Sequence, residues 1–300
     1  MSKVSIVMTV YNGEMYLKEA IRSILTQTMA DYEFILIDDG STDHTKERIT
    51  EFNDPRIKFY ALEHVGRARA LNYAVSKAQS PYIAFMDADD VAVPERLAIQ
   101  LQFLEEHPDI GCVSGWYQIV DAIGKKRGHI YRLPEHHAEI EREMTKHCSL
   151  CFPAFMVRKE VLDTVGIFNE ELRSAIDYEY FLRLLPVTQV ANIPVLMLYH
   201  RRHLASITAL LLRDQQKKKY QLAEQYLLKK LQFASTVAER NRIYFRLGIN
   251  EYYYGTMKNA RRRLSEAGGG VWKAKSFWRY FLPSLLGDPF FRIYRNIRNR

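Results

Sequence analysis

The stretch Tyr82-Ile83-Ala84-Phe85-Met86-Asp87-Ala88-Asp89-Asp90 decides how this chain is read. A short apolar run passes directly into three carboxylates. Such a run is the pattern of a strand covered on both faces. The same arrangement stands upstream, where Phe34-Ile35-Leu36-Ile37 ends at Asp38-Asp39-Gly40-Ser41. Val4–Val10 is a further run of this kind, followed by Tyr11-Asn12-Gly13, and Ile57–Ala61 is another.

Helical spacing fills the gaps. Tyr16, Leu17, Ala20, Ile21, Ile24 and Leu25 predict a helix over 14–28, and Thr42 or Asp43 is placed to cap a second one running toward Phe52. Ala68–Ala78 reads as a third helix, and Pro94 opens a fourth at the position where proline is tolerated. Strand–helix alternation of this kind predicts an α/β fold, a mostly parallel Rossmann-like sheet with helices on both faces. Ligands of such sheets bind beyond the carboxyl ends of the strands, where both acidic clusters fall. Past Glu106 the pattern is strand-like over Gly111–Val120, then less regular, with helices expected near 135–146 and 176–185.

Asp38-Asp39-Gly40-Ser41 alone would serve as a turn and helix cap. Asp87, Asp89 and Asp90 are harder to explain so, because crowded carboxylates repel one another and a cap needs only one. A hard divalent cation, Mn²⁺ or Mg²⁺, relieves that repulsion, and such ions use one or two protein carboxylates together with substrate phosphate oxygens. A nucleotide diphosphate is the natural second ligand. No Gly-x-Gly-x-x-Gly loop follows the first strand and no Gly-Lys-Ser/Thr loop occurs, which removes the main support for dinucleotide oxidoreductases and P-loop enzymes.

Val4–Gly13, Ile37–Asp43, Ala70-Leu71-Asn72, Met86–Asp90 and Pro94-Glu95-Arg96-Leu97 together resemble family 2 glycosyltransferases of the GT-A fold, most of all the bacterial enzymes that build surface polysaccharides. The resemblance covers roughly residues 3–208. It implies an inverting, metal-dependent transfer of sugar from a nucleotide-diphospho-sugar, a UDP-sugar foremost, to a hydroxyl of a glycan or lipid-linked acceptor. Asp39 is similar to the carboxylate that holds the nucleotide base, with Thr9 and Tyr11 lining the same pocket and Asp38 supporting it. Asp87 matches the first Asp of the Asp-x-Asp motif, near ribose and metal, and Asp89 the direct metal ligand. Asp90 is expected to cap a helix or support the cluster from behind. Arg67 or Arg69 could touch nucleotide or phosphate.

Further on, Ile176-Asp177-Tyr178-Glu179-Tyr180-Phe181-Leu182-Arg183 resembles the Glu-Asp-x-x-Leu-x-x-Arg segment whose Asp is the catalytic base. The preceding acid is missing here. Asp177 stands at the expected helix start and takes that role; Glu179, two residues on, points elsewhere on a helix. Tyr199–Ser206 resembles a Tyr-Arg-x-His-x-x-Ser stretch that would bring His203 to the metal or diphosphate, with Arg202 or Arg201 beside it. The alternatives are a non-catalytic binding protein on the same fold, or a nucleotidyltransferase, which would want a glycine- and lysine-rich phosphate loop that is absent.

Composition sets the remaining bounds. The 300 residues are 47% hydrophobic and 26% charged, as in an ordinary globular protein. Cys112, Cys148 and Cys151 cannot staple a secreted scaffold, and Cys148-x-x-Cys151 has no second pair with which to hold zinc, so core packing is expected. No secretory leader or spanning apolar run is visible. The net charge of +8 hides an asymmetry: residues 209–300 carry 20 Lys and Arg against 6 Asp and Glu, and residues 1–208 carry 23 against 29.

Two domains are therefore expected: 1–208 catalytic, and 209–300 a basic helical extension. Lys217–Leu231 and Arg242–Tyr254 read as amphipathic helices, and 244–267 faintly resembles one tetratricopeptide repeat. Beyond Gly268-Gly269-Gly270, aromatic and Leu residues interleave with cations, a pattern suited to an anionic membrane interface. The expected location is cytoplasmic, peripheral on the inner face of the plasma membrane. Nucleic acid is not expected as a partner, since no recognition fold is evident and the body is acidic.

Overall fold

The computed structural model describes residues 2–268 and 280–281. It divides into two compact units, Met1–Glu143 with Cys148–Leu212, and Met144–His147 with Arg213–Arg300, against the division expected after residue 208.

The first unit opens with β1 (Val4–Val10), α1 (Leu17–Leu25), β2 (Tyr32–Asp38), α2 (Thr45–Thr50), β3 (Ile57–Ala61), α3 (Arg67–Lys77) and β4 (Tyr82–Asp87). β1 and β2 pair in parallel, as do β1 with β4 and β2 with β3. Ile6, Val7, Met8, Phe34, Ile35, Leu36, Ala84 and Phe85 are wholly buried, the condition of strands covered on both faces. Register sets the carboxyl edge: Val10 stands opposite Asp38, Asp38 opposite Ala61, and Thr9 opposite Asp87. Two-residue β5 (Val91–Ala92) and α4 (Arg96–Glu106) follow the acidic stretch.

Boundaries shift where side chains have other work. The first helix begins at Leu17 rather than 14, because the preceding turn is closed by the Tyr16 and Leu17 amides on the Gly13 carbonyl. The second begins at Thr45 because Asp43 accepts from the amides of both Thr45 and Glu14, tying the β1–α1 connection to the β2–α2 connection. Pro94 stands two positions before α4 instead of opening it.

The second half of the unit departs from a parallel sheet. β6 (Ile110–Val120), β7 (Lys126–Tyr131), α5 (His137–Met144), β8 (Met156–Arg158), α6 (Lys159–Val165), α7 (Ile176–Leu184), β9 (Gln189–Arg201) and α8 (Ile207–Leu210) complete the order. The sheet runs β3-β2-β1-β4-β8-β6-β9-β5, with β7 paired to β6. β8 joins both β4 and β6 antiparallel, while β6 and β9 run parallel with register shifts near Ile110, Gly115 and Trp116. β9 carries the Tyr199–Arg201 segment back to the acidic edge, where Val91 stands opposite Tyr199. The result is a mixed α/β sheet.

In the second unit, α9 (Leu212–Phe233), α10 (Val237–Tyr254) and α11 (Met257–Glu266) contain both amphipathic helices expected there. α10 and α11 approach closely at Gly248, where a Cβ would come 2.5 Å from Leu264 Cγ. The expected membrane-interfacial segment lies, apart from Tyr280 and Phe281, outside the described residues. Among the described residues no helix is long and apolar enough to cross a membrane.

Candidate active site

At the end of β2, Asp38 and Asp39 are almost fully buried. Asp38 accepts from the Ser41 amide at 3.1 Å. Asp39 accepts from the Val65 and Gly66 amides at 2.8 and 3.0 Å, which fixes the loop between β3 and α3. Gly40 allows this (φ 74°), since a Cβ there would lie 2.6 Å from the His64 amide nitrogen. Asp39 Oδ1 accepts only the Val65 amide and keeps a second lone pair. His64 Nδ1 lies 3.1 Å from Asp39, and its ring stacks on that of Tyr11 at 4.0 Å.

The loop that Asp39 fixes delivers Arg67. Its guanidinium donates to Asp87 at 2.6 Å and rests 5.4 Å from the centre of the Phe152 ring. Burial pulls the Arg67 pKa down, but the charges of Asp87, Asp177, Asp89 and Asp90 outweigh it and hold the group above its usual value. Arg67 thus pairs with Asp87 and feels the charge of Asp177 at longer range. Arg69 does not join them: it pairs with Glu170 at 3.1 Å. Thr9 is half-buried on β1 beside Asp87.

Asp87, Asp89 and Asp90 each offer a carboxylate oxygen, all within 4.8 Å of one another. Burial raises the Asp87 carboxyl to about 7, with Asp89 and Asp90 adding to the rise and Arg67 and His200 opposing it. Asp89 meets His203 Nε2 at 2.9 Å, and the His203 ring packs 4.6 Å from Tyr16. Asp90 is wholly buried and supports the cluster from behind; α4 has no side-chain cap. Asp90 accepts from the Arg201 amide at 2.7 Å and faces His200 Nδ1 at 3.0 Å. Burial alone would lower the His200 pKa, but Asp90, with Asp89 and Asp87 behind it, raises it to about 9. Three crowded carboxylates with hard oxygen donors, one held protonated into the neutral range, are chemically fitted to a divalent cation.

Arg201 is a structural anchor. It is buried, donates to the Asp89 carbonyl at 2.9 Å and to Glu19, and lies 4.8 Å over the Tyr16 ring. Arg202 is exposed, its amide on the Val120 carbonyl, with no side-chain hydrogen bond or ion pair among the described residues.

On α7, the two acidic candidates separate cleanly. Glu179 is held by Arg183 at 2.8 and 3.0 Å, and Arg183 also donates to the Val165 and Ile167 carbonyls. Asp177, half-exposed in the first turn, has no hydrogen bond among the described residues. The loop ahead of α7 is clamped to α3, where Asn72 both donates to and accepts from the Phe168 backbone, at 2.9 and 2.8 Å.

Sequence reasoning assigned no role to His64, His200 or Arg96. Arg96 is wholly buried behind β4, donating to the Phe85 carbonyl at 2.7 Å and to Gln100, and burial lowers it to about 10. The spacing of Pro94-Glu95-Arg96-Leu97 was the one available signal for it. Cys112 and Cys151 are buried free thiols, pushed upward by burial, as core packing requires.

Glycosyl transferase family 2 matches residues 5–166, more than half of the chain. The chain belongs to glycosyl transferase family 2. It is 35% identical over 189 residues to an uncharacterized glycosyltransferase of Methanocaldococcus jannaschii, covering 60% of this chain and 63% of that protein. It is 34% identical over 184 residues to the hyaluronan synthase of Pasteurella multocida, covering 60% of this chain but 18% of the synthase. The chain thus spans less than two thirds of these relatives.

Among solved structures, S. aureus TarS 1-349 in complex with UDP-GlcNAc is similar at TM-score 0.64 and 18% identity, covering 89% of this chain and 82% of that one. The mannosyltransferase PcManGT of Pyrobaculum calidifontis, in complex with GDP-Man and Mn²⁺, is similar at TM-score 0.56 and 15% identity, covering 99% and 87%. At these identities the likeness is one of fold.

Proposed function

We propose that this chain of glycosyl transferase family 2 moves a sugar, with inversion, from a nucleotide-diphospho-sugar to a hydroxyl of a glycan or lipid-linked acceptor in cell-surface polysaccharide biosynthesis. The observation that carries this reading is the acidic cluster at the carboxyl edge: Asp87, Asp89 and Asp90 lie within 4.8 Å of one another, with Arg67 on Asp87 at 2.6 Å and His203 on Asp89 at 2.9 Å. Asp177, with no hydrogen bond among the described residues, and a cluster fitted to a divalent cation thus both lie within electrostatic reach of one arginine.

In this reading Asp39, supported by Asp38, accepts the N–H of the base, and Thr9 and Tyr11 line the nucleoside pocket. Uridine offers such a donor, and TarS in complex with UDP supports it as the first base to test. Asp89 and Asp87 would hold Mn²⁺ or Mg²⁺, with His203 as third donor, and the ion's charge would offset that building on the departing diphosphate. Arg202 and Arg67 add positive charge near the same phosphates. Asp177 accepts the proton of the acceptor hydroxyl as its oxygen attacks the anomeric carbon. The new C–O bond forms as the bond to the diphosphate breaks, and the diphosphate leaves with the electron pair. A single displacement of this kind inverts the centre.

The basic extension, including the segment after 268, would hold the enzyme against an anionic leaflet where a lipid-linked acceptor resides. Asp177→Asn tests the core of the proposal. It should leave nucleotide-sugar binding unchanged and slow transfer by about 10²–10⁴-fold, the range for a lost general base; a variant that keeps most of its turnover overturns the base assignment.

A further inference from the structure

We propose that the β6–β7 hairpin is an acceptor surface for an anionic glycan, a chain of sugar rings bearing acidic groups. The proposal rests on the glycosyl-transfer reading and adds to it the chemical class of the acceptor. β7 is unusual in that all six of its residues are exposed. A strand that buries none of its side chains is free of the demands of a core, so its composition answers to something else.

That composition is specific. Lys125 to Arg132 holds four Lys and Arg and no Asp or Glu, in a body where acids outnumber bases. Arg127 is neutralised by Asp121 at 2.6 Å. Lys126 rests 4.8 Å over the Tyr199 ring and Arg132 5.2 Å over the Trp116 ring. Edge strands are often guarded by lysine against pairing with another chain. A guard of that kind explains one or two cations; it does not explain the aromatic pair among them.

Tyr131 lies flat on Tyr117, 5.0 Å between centres at 3°, and the residue is 43% exposed. An open aromatic face suits the apolar C–H face of a sugar ring, and cations beside it suit acidic substituents on that ring. A phosphodiester polyol has the charge but no ring to stack.

The position fits an acceptor. Tyr117 meets His200 edge-on at 5.8 Å, and His200 backs Asp90. Arg201 bolts the root of the hairpin to the acidic cluster, donating to the Asp121 and Ala122 carbonyls at 3.4 and 3.3 Å and to that of Asp89. A chain lying on Tyr131 would therefore end near the reacting centre, and the local positive charge would draw it in an otherwise acidic surround.

The test measures binding of four probes to the full chain by fluorescence anisotropy or flotation: oligogalacturonate, dextran of equal length, polyglycerol phosphate and phosphatidylglycerol vesicles. Wild type should prefer oligogalacturonate. The triple variant Lys125→Glu, Lys126→Glu, Arg132→Glu should weaken it by about tenfold or more, and Tyr131→Ala should weaken it while leaving polyglycerol phosphate unaffected. Melting temperatures are measured alongside: Lys125, Lys126 and Arg132 are exposed, so the triple variant should melt as wild type does, while Tyr131→Ala gives up its stack on Tyr117 and should stay folded at the assay temperature. Dextran or polyglycerol phosphate binding as tightly as oligogalacturonate overturns the proposal, as does oligogalacturonate binding that the triple variant retains. Vesicle binding that alone depends on the three cations would make the hairpin a lipid contact instead. Donor hydrolysis by the wild-type chain is read separately: its absence would count against glycosyl transfer, whereas a failed hairpin with hydrolysis intact would count against this inference alone.

Discussion

A buried carboxylate and a cluster of three occupy opposite edges of the same parallel sheet, and they are built on opposite principles. At the amino end of β2, Glu33 is 6% exposed and fully partnered: Ser5 donates at 2.5 Å, the Gln79 amide at 2.9 Å and Lys58 at 2.5 Å. Burial alone would raise its pKa, but these donors outweigh it and hold the carboxyl below its usual value. At the carboxyl end, Asp87 has Arg67 but also Asp89 and Asp90, and its carboxyl rises to about 7. A carboxylate whose donors are all supplied by the fold is part of the scaffold. One crowded by its own kind is fitted to a positive charge from outside.

Substitution should separate the two roles most strongly. Asp87→Asn should abolish most transferase activity while leaving the melting temperature of the metal-free protein at pH 8 unchanged or higher, because ionising Asp87 there works against folding. Glu33→Gln should do the reverse: stability falls by about 1–3 kcal/mol as Lys58 loses its partner and buried donors lose a charged acceptor, with turnover per folded molecule kept. Equal effects on stability at both sites would erase the distinction.

The pH dependence of stability sharpens it further. Asp87, Asp90 and His200 all bind protons more tightly folded than unfolded. Their contribution is present below the unfolded values and is lost as pH rises, through about 7 for Asp87 and about 9 for His200. Glu33, Asp43 and Asp54 are depressed, so theirs is present above the usual carboxylate range and is lost in acid. The metal-free protein should melt highest near pH 5–6 and progressively lower toward pH 9, and Mn²⁺ should restore most of the loss at the alkaline end. Thermal melts across that range, with and without the ion, read both effects.

The smallest effect concerns a buried group with no donor or acceptor to meet. The Tyr180 hydroxyl is buried without a hydrogen-bond partner among the described residues. Tyr180→Phe should raise stability by up to about 1 kcal/mol; a loss by denaturant melt would show that the hydroxyl is satisfied after all, as Glu33 is.

The same contrast explains what could be read in advance. Tyr82–Asp90 and Phe34–Asp39 were legible because a fully buried parallel strand is a continuous apolar run and its end is abrupt. β9 was not, because register shifts against β6 and Pro194 within the strand break any regular alternation. β7 was not either, since six exposed residues carry no periodic signal. Asp177 could be named through the resemblance of its segment and its place at a helix start, but the Arg183 fork that occupies Glu179 could not be read in advance. His200 gains its meaning from Asp90, 110 positions away, and no local pattern records such a pairing.

The central claim is that Asp87, Asp89 and Asp90 form a site short of one positive charge. Calorimetric titration of Mn²⁺ into the full chain at pH 8 with UDP present tests it most directly. The account predicts one ion per chain, bound at least about tenfold more weakly by Asp89→Asn; absence of binding, or equal affinity in the variant, would contradict it.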